Sequence, residues 1–142
     1  MTPVEWIIVV LLALVIFSAW MLVYRHRRLP RHLSPEDKGF VHLRWQELQQ
    51  QASRGGPAHL RQAIVQADTL VDHCLKRLGV PGDTFADRLR ASRARFSDYD
   101  GLWRAHKTRN QVVHEADKEL LSFETKQMLA KFERALKDLG AL

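Results

Sequence analysis

Cys74 is the one cysteine in this 142-residue chain. An internal disulfide is therefore excluded, a cysteine-built zinc site is equally out of reach, and packing has to hold the fold together. The chain also lacks a Gly-rich phosphate loop, a serine nucleophile elbow and a paired-carboxylate motif, so the enzyme classes built on those devices are set aside. No strand pattern, hairpin signal or internal repeat interrupts what reads as an all-α protein.

Charge is missing too, from one long stretch. Between Trp6 and Val23 every residue is apolar except Ser18. As a helix, Val4 to Tyr24 covers roughly the 30 Å of a bilayer's hydrocarbon core. Trp6 at one end and Trp20 and Tyr24 at the other suit rings that prefer the headgroup region. No basic residue precedes the run, whereas Arg25, Arg27, Arg28 and Arg31 follow it. That order is the reverse of a cleaved signal peptide, and Phe17-Ser18-Ala19-Trp20 makes a poor cleavage site.

The expected organisation is an uncleaved single-pass transmembrane anchor over residues 1–24, a basic juxtamembrane linker over 25–33, and a helical domain over 34–142. The arginines predict the topology: the amino terminus lies outside the cell membrane and the carboxy-terminal domain is cytoplasmic. They also leave little basicity for the rest. Of the net +6, four charges come from these arginines and Glu5 removes one, leaving +3 from Ser34 onward. His26 and His32 read as solvated headgroup neighbours, and the arginines as contacts for anionic lipid.

Ser34-Pro35-Glu36-Asp37 has the form of a helix start, with a serine cap, proline in the first turn and acids at the positive end. The helix it opens should run to about Gln51. Its apolar positions Phe40, Leu43, Trp45 and Leu48 are only partly periodic, which predicts a loosely docked spacer. After the breaker at Ser53 to Pro57, the residues Leu60, Ile64, Ala67, Val71, Cys74, Leu75 and Leu78 share one face, with Gly79 as the stop. Cys74 then reads as core and His73 as surface. A short helix from Phe85 to about Ser92, one capped by Ser97 or Asp98 and running to about Glu115, and a last one capped by Ser122 and ending at Gly140 complete the set. The expected architecture is a compact antiparallel bundle of four or five helices behind the transmembrane helix.

The most unusual stretch is Trp103 to Glu115. At about 100° per residue, His106, Arg109, Asn110 and His114 fall within roughly 140° of one another. Two imidazoles, a guanidinium and an amide on one face can hold a phosphate and move protons. Equally, the arginine and asparagine can bond a neighbouring loop, and His114 can pair with Asp98, Asp100 or Asp117. Trp103 reads as a core-edge residue rather than a base-stacking platform. Arg104 and Lys107, with Arg88, Arg90, Arg93 and Arg95 nearby, form a candidate RNA or phosphate patch, although interleaved aspartates also fit a salt-bridged surface. No metal is expected, because no acid or cysteine stands at a useful spacing from the two histidines. No other cofactor is expected either.

Arg109, Asn110 and His114, on a helix just ahead of a final amphipathic one, resemble the signature of the HEPN family of small helical bundles. The likeness covers roughly Pro57 to Leu142, and the whole chain is similar to small uncharacterised bacterial membrane proteins. The resemblance implies two readings. In the first, the domain binds: a second copy of itself, a cytosolic protein or RNA. In the second it is a metal-independent endoribonuclease in which Arg109 and His114 of two subunits meet. His114 would then act as acid or base on the ribose 2′-hydroxyl, Arg109 would stabilise the phosphate, Asn110 would position, and His106 would be a second proton-transfer group.

Overall fold

The computed structural model describes residues 3–27, 32–114 and 122–142. Its regular elements are all helical: α1 (Pro3–Arg27), α2 (Pro35–Ser53), α3 (Pro57–Arg77), α4 (Phe85–Ala91), α5 (Tyr99–His114) and α6 (Ser122–Asp138). A single 3₁₀ turn at Arg93–Arg95, absent from the periodic pattern, links α4 to α5.

The Val4–Leu22 segment of α1 buries none of its apolar side chains within the protein; Trp6, Phe17 and Trp20 are each more than half exposed. That segment is long and apolar enough to cross a membrane, a property that a signal sequence shares. Tyr24, Arg25 and Arg27 fall on the last turns of α1, and Arg28 and Arg31 lie outside the described residues.

The other helices pack in contact, with α3 at the centre touching α2, α4, α5 and α6, and with α5 also against α6. The reason is its stripe. Leu60, Ile64, Ala67, Val71, Cys74, Leu75 and Leu78 are all buried, as the spacing predicts. Gly79, at φ 68°, closes α3 in a Schellman motif: its N–H donates to Lys76 at 2.9 Å and that of Val80 to Leu75 at 2.9 Å.

α2 is no loose spacer. Val41, Trp45 and Leu48 recur at four and three residues and are at most 5% exposed, so α2 docks firmly on α3. The pattern looks only partly periodic because it counts Phe40 and Leu43, which are exposed, and leaves out Val41, which is fully buried. His73, expected at the surface, is half-buried with its ring 5.1 Å from that of Phe40.

The starts of α2 and α5 are made by expected residues, and that of α4 by Thr84, a turn residue not expected as a cap. Ser34 accepts the Asp37 N–H at 3.1 Å, and Thr84 and Asp87 form a reciprocal capping box. Of the two candidates for α5, Asp98 is the cap, accepting the Gly101 N–H at 3.0 Å. Ser97 instead donates its backbone N–H to Asp138 at 2.8 Å, tying the entry of α5 to the end of α6. Glu115, the expected end of α5, lies outside the described residues, and α6 begins at Ser122 itself.

Candidate functional site

α5 presents two faces at the motif. Leu102, Ala105 and Val112 fill the core, and His106 follows them inward at 8% exposure. A buried imidazole needs polar partners, and α3 supplies one. His106 Nδ1 lies 2.7 Å from Oδ1 of Asp68, itself only 3% exposed. Phe85 packs edge-on against the imidazole at 4.8 Å and Trp103 sits 6.1 Å away.

Arg109 and Asn110 close the arrangement. Arg109 Nε approaches Asp68 Oδ2 to 3.2 Å, but its N–H is not aimed at that oxygen, so the contact is Coulombic rather than a formed hydrogen bond. One terminal nitrogen of Arg109 donates to Asn110 Oδ1 at 2.8 Å. A guanidinium only donates, which fixes the amide: the Asn110 NH₂ must face His106 Nε2, 3.3 Å away. His106 Nε2 therefore accepts and Nδ1–H donates to Asp68. This network assigns a neutral imidazole with both ring nitrogens engaged.

His114 stands apart. It is exposed at the carboxyl end of α5 and makes no hydrogen bond to the other three. Eight residues along a helix place it about 12 Å from His106 along the axis. Asp98 and Asp100, two of its candidate partners, are directed elsewhere: Asp98 to Lys131 at 2.7 Å and Asp100 toward Arg93 at 4.0 Å. The third, Asp117, lies outside the described residues.

Arg104 and Lys107 are exposed on the outer side of α5. The neighbouring arginines are organised by rings. Tyr99 stacks on Trp103 at 6.0 Å, with the Arg93 guanidinium 4.8 Å over the first ring and that of Arg90 5.1 Å over the second. Trp103 is thus half-buried and covered by Arg90. Arg88 is separate from this patch. It is buried and donates to Asp72 at 2.7 Å and to the Gly82 carbonyl at 2.6 Å, pinning α4 to α3.

Burial acts to raise the pKa of Asp72, but hydrogen bonds from Arg88 and Lys76 outweigh it and hold the carboxyl below its usual value. The Lys131 ammonium does the same for Asp98, helped by the Gly101 N–H. Among the described residues no group of three or more histidine, cysteine or acidic side chains is placed to hold a metal.

Asp68 is the member of this site that the sequence analysis missed. The signal was present: Asp68 falls four residues after Ile64 and three before Val71, so a carboxylate interrupts an otherwise apolar face. A charge on such a face has to be paired. Compared with protein-family profiles, curated proteins and solved structures, the chain has no match.

Proposed function

We propose that the chain is a membrane-tethered, HEPN-like helical module that works by binding rather than by chemistry at α5. In this reading α1 spans the cell membrane, with the amino terminus outside and the domain from Ser34 in the cytoplasm. The partner is a second copy of the chain or a cytosolic protein. What carries the reading is the occupation of the polar cluster. Both nitrogens of His106 are engaged, Arg109 is drawn to Asp68, and His114 stands exposed about one turn beyond Asn110. Such a cluster holds α5 on α3 and leaves a rigid outer face for recognition.

The second reading, a metal-independent endoribonuclease, draws support from the half-exposed Arg109 and Asn110 and the exposed His114, which a second copy could complete. The deciding experiment uses the full chain in detergent micelles, incubated with labelled RNA in EDTA beside Arg109→Ala and His114→Ala. A binding module leaves the RNA intact while folded and oligomeric. Cleavage by the parent that both variants lose would overturn that reading in favour of the nuclease.

A further inference from the structure

Asp68, His106, Asn110 and Arg109 form a chain of polar contacts in which every link has a direction. His106 Nδ1–H donates to Asp68 at 2.7 Å, Nε2 accepts from the Asn110 NH₂ at 3.3 Å, and Asn110 Oδ1 accepts from Arg109 at 2.8 Å. The two end groups are fixed in role: the carboxylate accepts, and the guanidinium only donates. The two inner groups can reverse. Nε2 becomes a donor by taking a proton, and the amide exchanges its oxygen for its nitrogen by half a turn about its last bond.

A proton on Nε2 therefore breaks the chain at one place. The imidazole is then a donor at both nitrogens, and the Asn110 NH₂ that faces it is a donor too. His106 is only 8% exposed and has little water to turn to, so an N–H held against another donor is costly. The amide relieves the conflict by turning Oδ1 to Nε2–H. That turn brings its NH₂ against Arg109, and the conflict passes from the imidazole to the guanidinium. Arg109 is half-buried and has solvent to move into, whereas His106 does not.

Asp68 makes the protonated form tenable. Its carboxylate, 3% exposed and already on Nδ1, becomes the counter-charge of an imidazolium. The Arg109 Nε, 3.2 Å from the other carboxylate oxygen, then has a like charge beside it. Charges on the surrounding elements are directed elsewhere: Arg88 of α4 to Asp72 of α3, Arg90 onto the Trp103 ring, and Lys131 of α6 to Asp98. Arg104 and Lys107 of α5 itself are exposed.

We propose that these residues are a proton-driven relay, in which protonation of His106 turns the Asn110 amide and releases Arg109 from Asn110 toward solvent. Its meaning for recognition rests on the binding reading above. Lower pH presents a guanidinium on α5 to an anionic group of the partner, and higher pH withdraws it.

The test is an NMR titration of the isotope-labelled full chain in detergent micelles from about pH 8 to about pH 5, the range in which histidine ordinarily changes charge. The His106 ring nitrogens should report proton uptake. With the same midpoint, the nuclear Overhauser contact between the Asn110 NH₂ and the His106 ring protons should be lost and the Arg109 Nε–H resonance should move. Asn110→Asp discriminates, because a carboxylate accepts from both neighbours and has nothing to turn. In that variant His106 still titrates and Arg109 no longer follows; in His106→Gln both responses vanish. A field effect of the imidazolium charge alone moves Arg109 in Asn110→Asp as well, and that result overturns the relay. Retention of the Overhauser contact throughout, or a His106 that stays neutral down to about pH 5, overturns it too. These readouts need no partner, so their failure leaves the binding reading standing.

Discussion

Asp68 shows how much one side chain decides in this protein. Its carboxylate is the acceptor for His106 and the counter-charge for Arg109, both reached from another helix. Asp68→Ala strands an imidazole N–H and a guanidinium in a poorly hydrated site, and is expected to cost about 3 kcal/mol in urea unfolding of the solubilised chain. A double-mutant cycle with His106→Ala should return a coupling of at least about 1 kcal/mol, since the two side chains touch. Additive effects would remove the pair from the account of why α5 sits on α3. Cys74 makes the opposite kind of prediction. Burial, with a small contribution from Asp37, pushes its thiol up to about 12. An aromatic disulfide reagent at neutral pH should therefore leave it unmodified in the folded chain and react fully once urea unfolds it. Rapid modification of the native protein would contradict its placement in the core. Cys74 was legible from spacing alone, because its neighbours at three and four residues are apolar. The role of His106 was not, because the atom that determines it lies 38 positions away.

At the scale of elements, the same ionic contacts that cap helices also join them. Asp98 caps α5 and takes Lys131 from α6, Asp72 joins α3 to α4 through Arg88, and Asp37 takes Arg77 at the far end of α3. Asp37, Asp72, Asp87 and Asp98 are all held below the ordinary aspartate value of 3.8. The sign follows directly: between the folded and unfolded values the unfolded chain binds more protons. Stability from these groups is complete above about pH 5 and drains away as the pH falls below about 4 through the folded values. Asp98→Asn should flatten that acid limb of a melting-temperature profile while changing its slope near neutrality little. An acid limb as steep as the parent's would mean that Lys131 and the α5 cap are not what lowers the Asp98 pKa. The caps of α2 and α5 were readable locally, since Ser34 and Asp98 act within three residues. The choice of Asp98 over Ser97 was not readable locally, because Asp138 on α6 claims Ser97.

The whole molecule joins two parts of different physics. Val4–Leu22 of α1 has no apolar side chain covered by protein, and the remaining helices share one core around α3. With α1 in a bilayer and the arginines inside, lysine-directed biotinylation with an impermeant reagent should spare the domain in intact cells and reach it after permeabilisation. Labelling of Lys107 or Lys131 in intact cells would reverse the orientation. Deleting residues 1–33 should release the domain from the membrane with its helical content retained, as read by circular dichroism.

The sequence by itself determined the helical class, the apolar run of α1, the stripe of α3 and the cap that opens α2. These follow from hydrogen bonds and periodicities that operate within one or two turns. Only the tertiary structure decided that α2 packs firmly through Val41, Trp45 and Leu48, that Phe40 and Leu43 are left outside, and that Asp68 takes both His106 and Arg109. Those outcomes depend on which face of each helix meets α3, and a buried charge on one helix finds its counterpart only when another is brought against it.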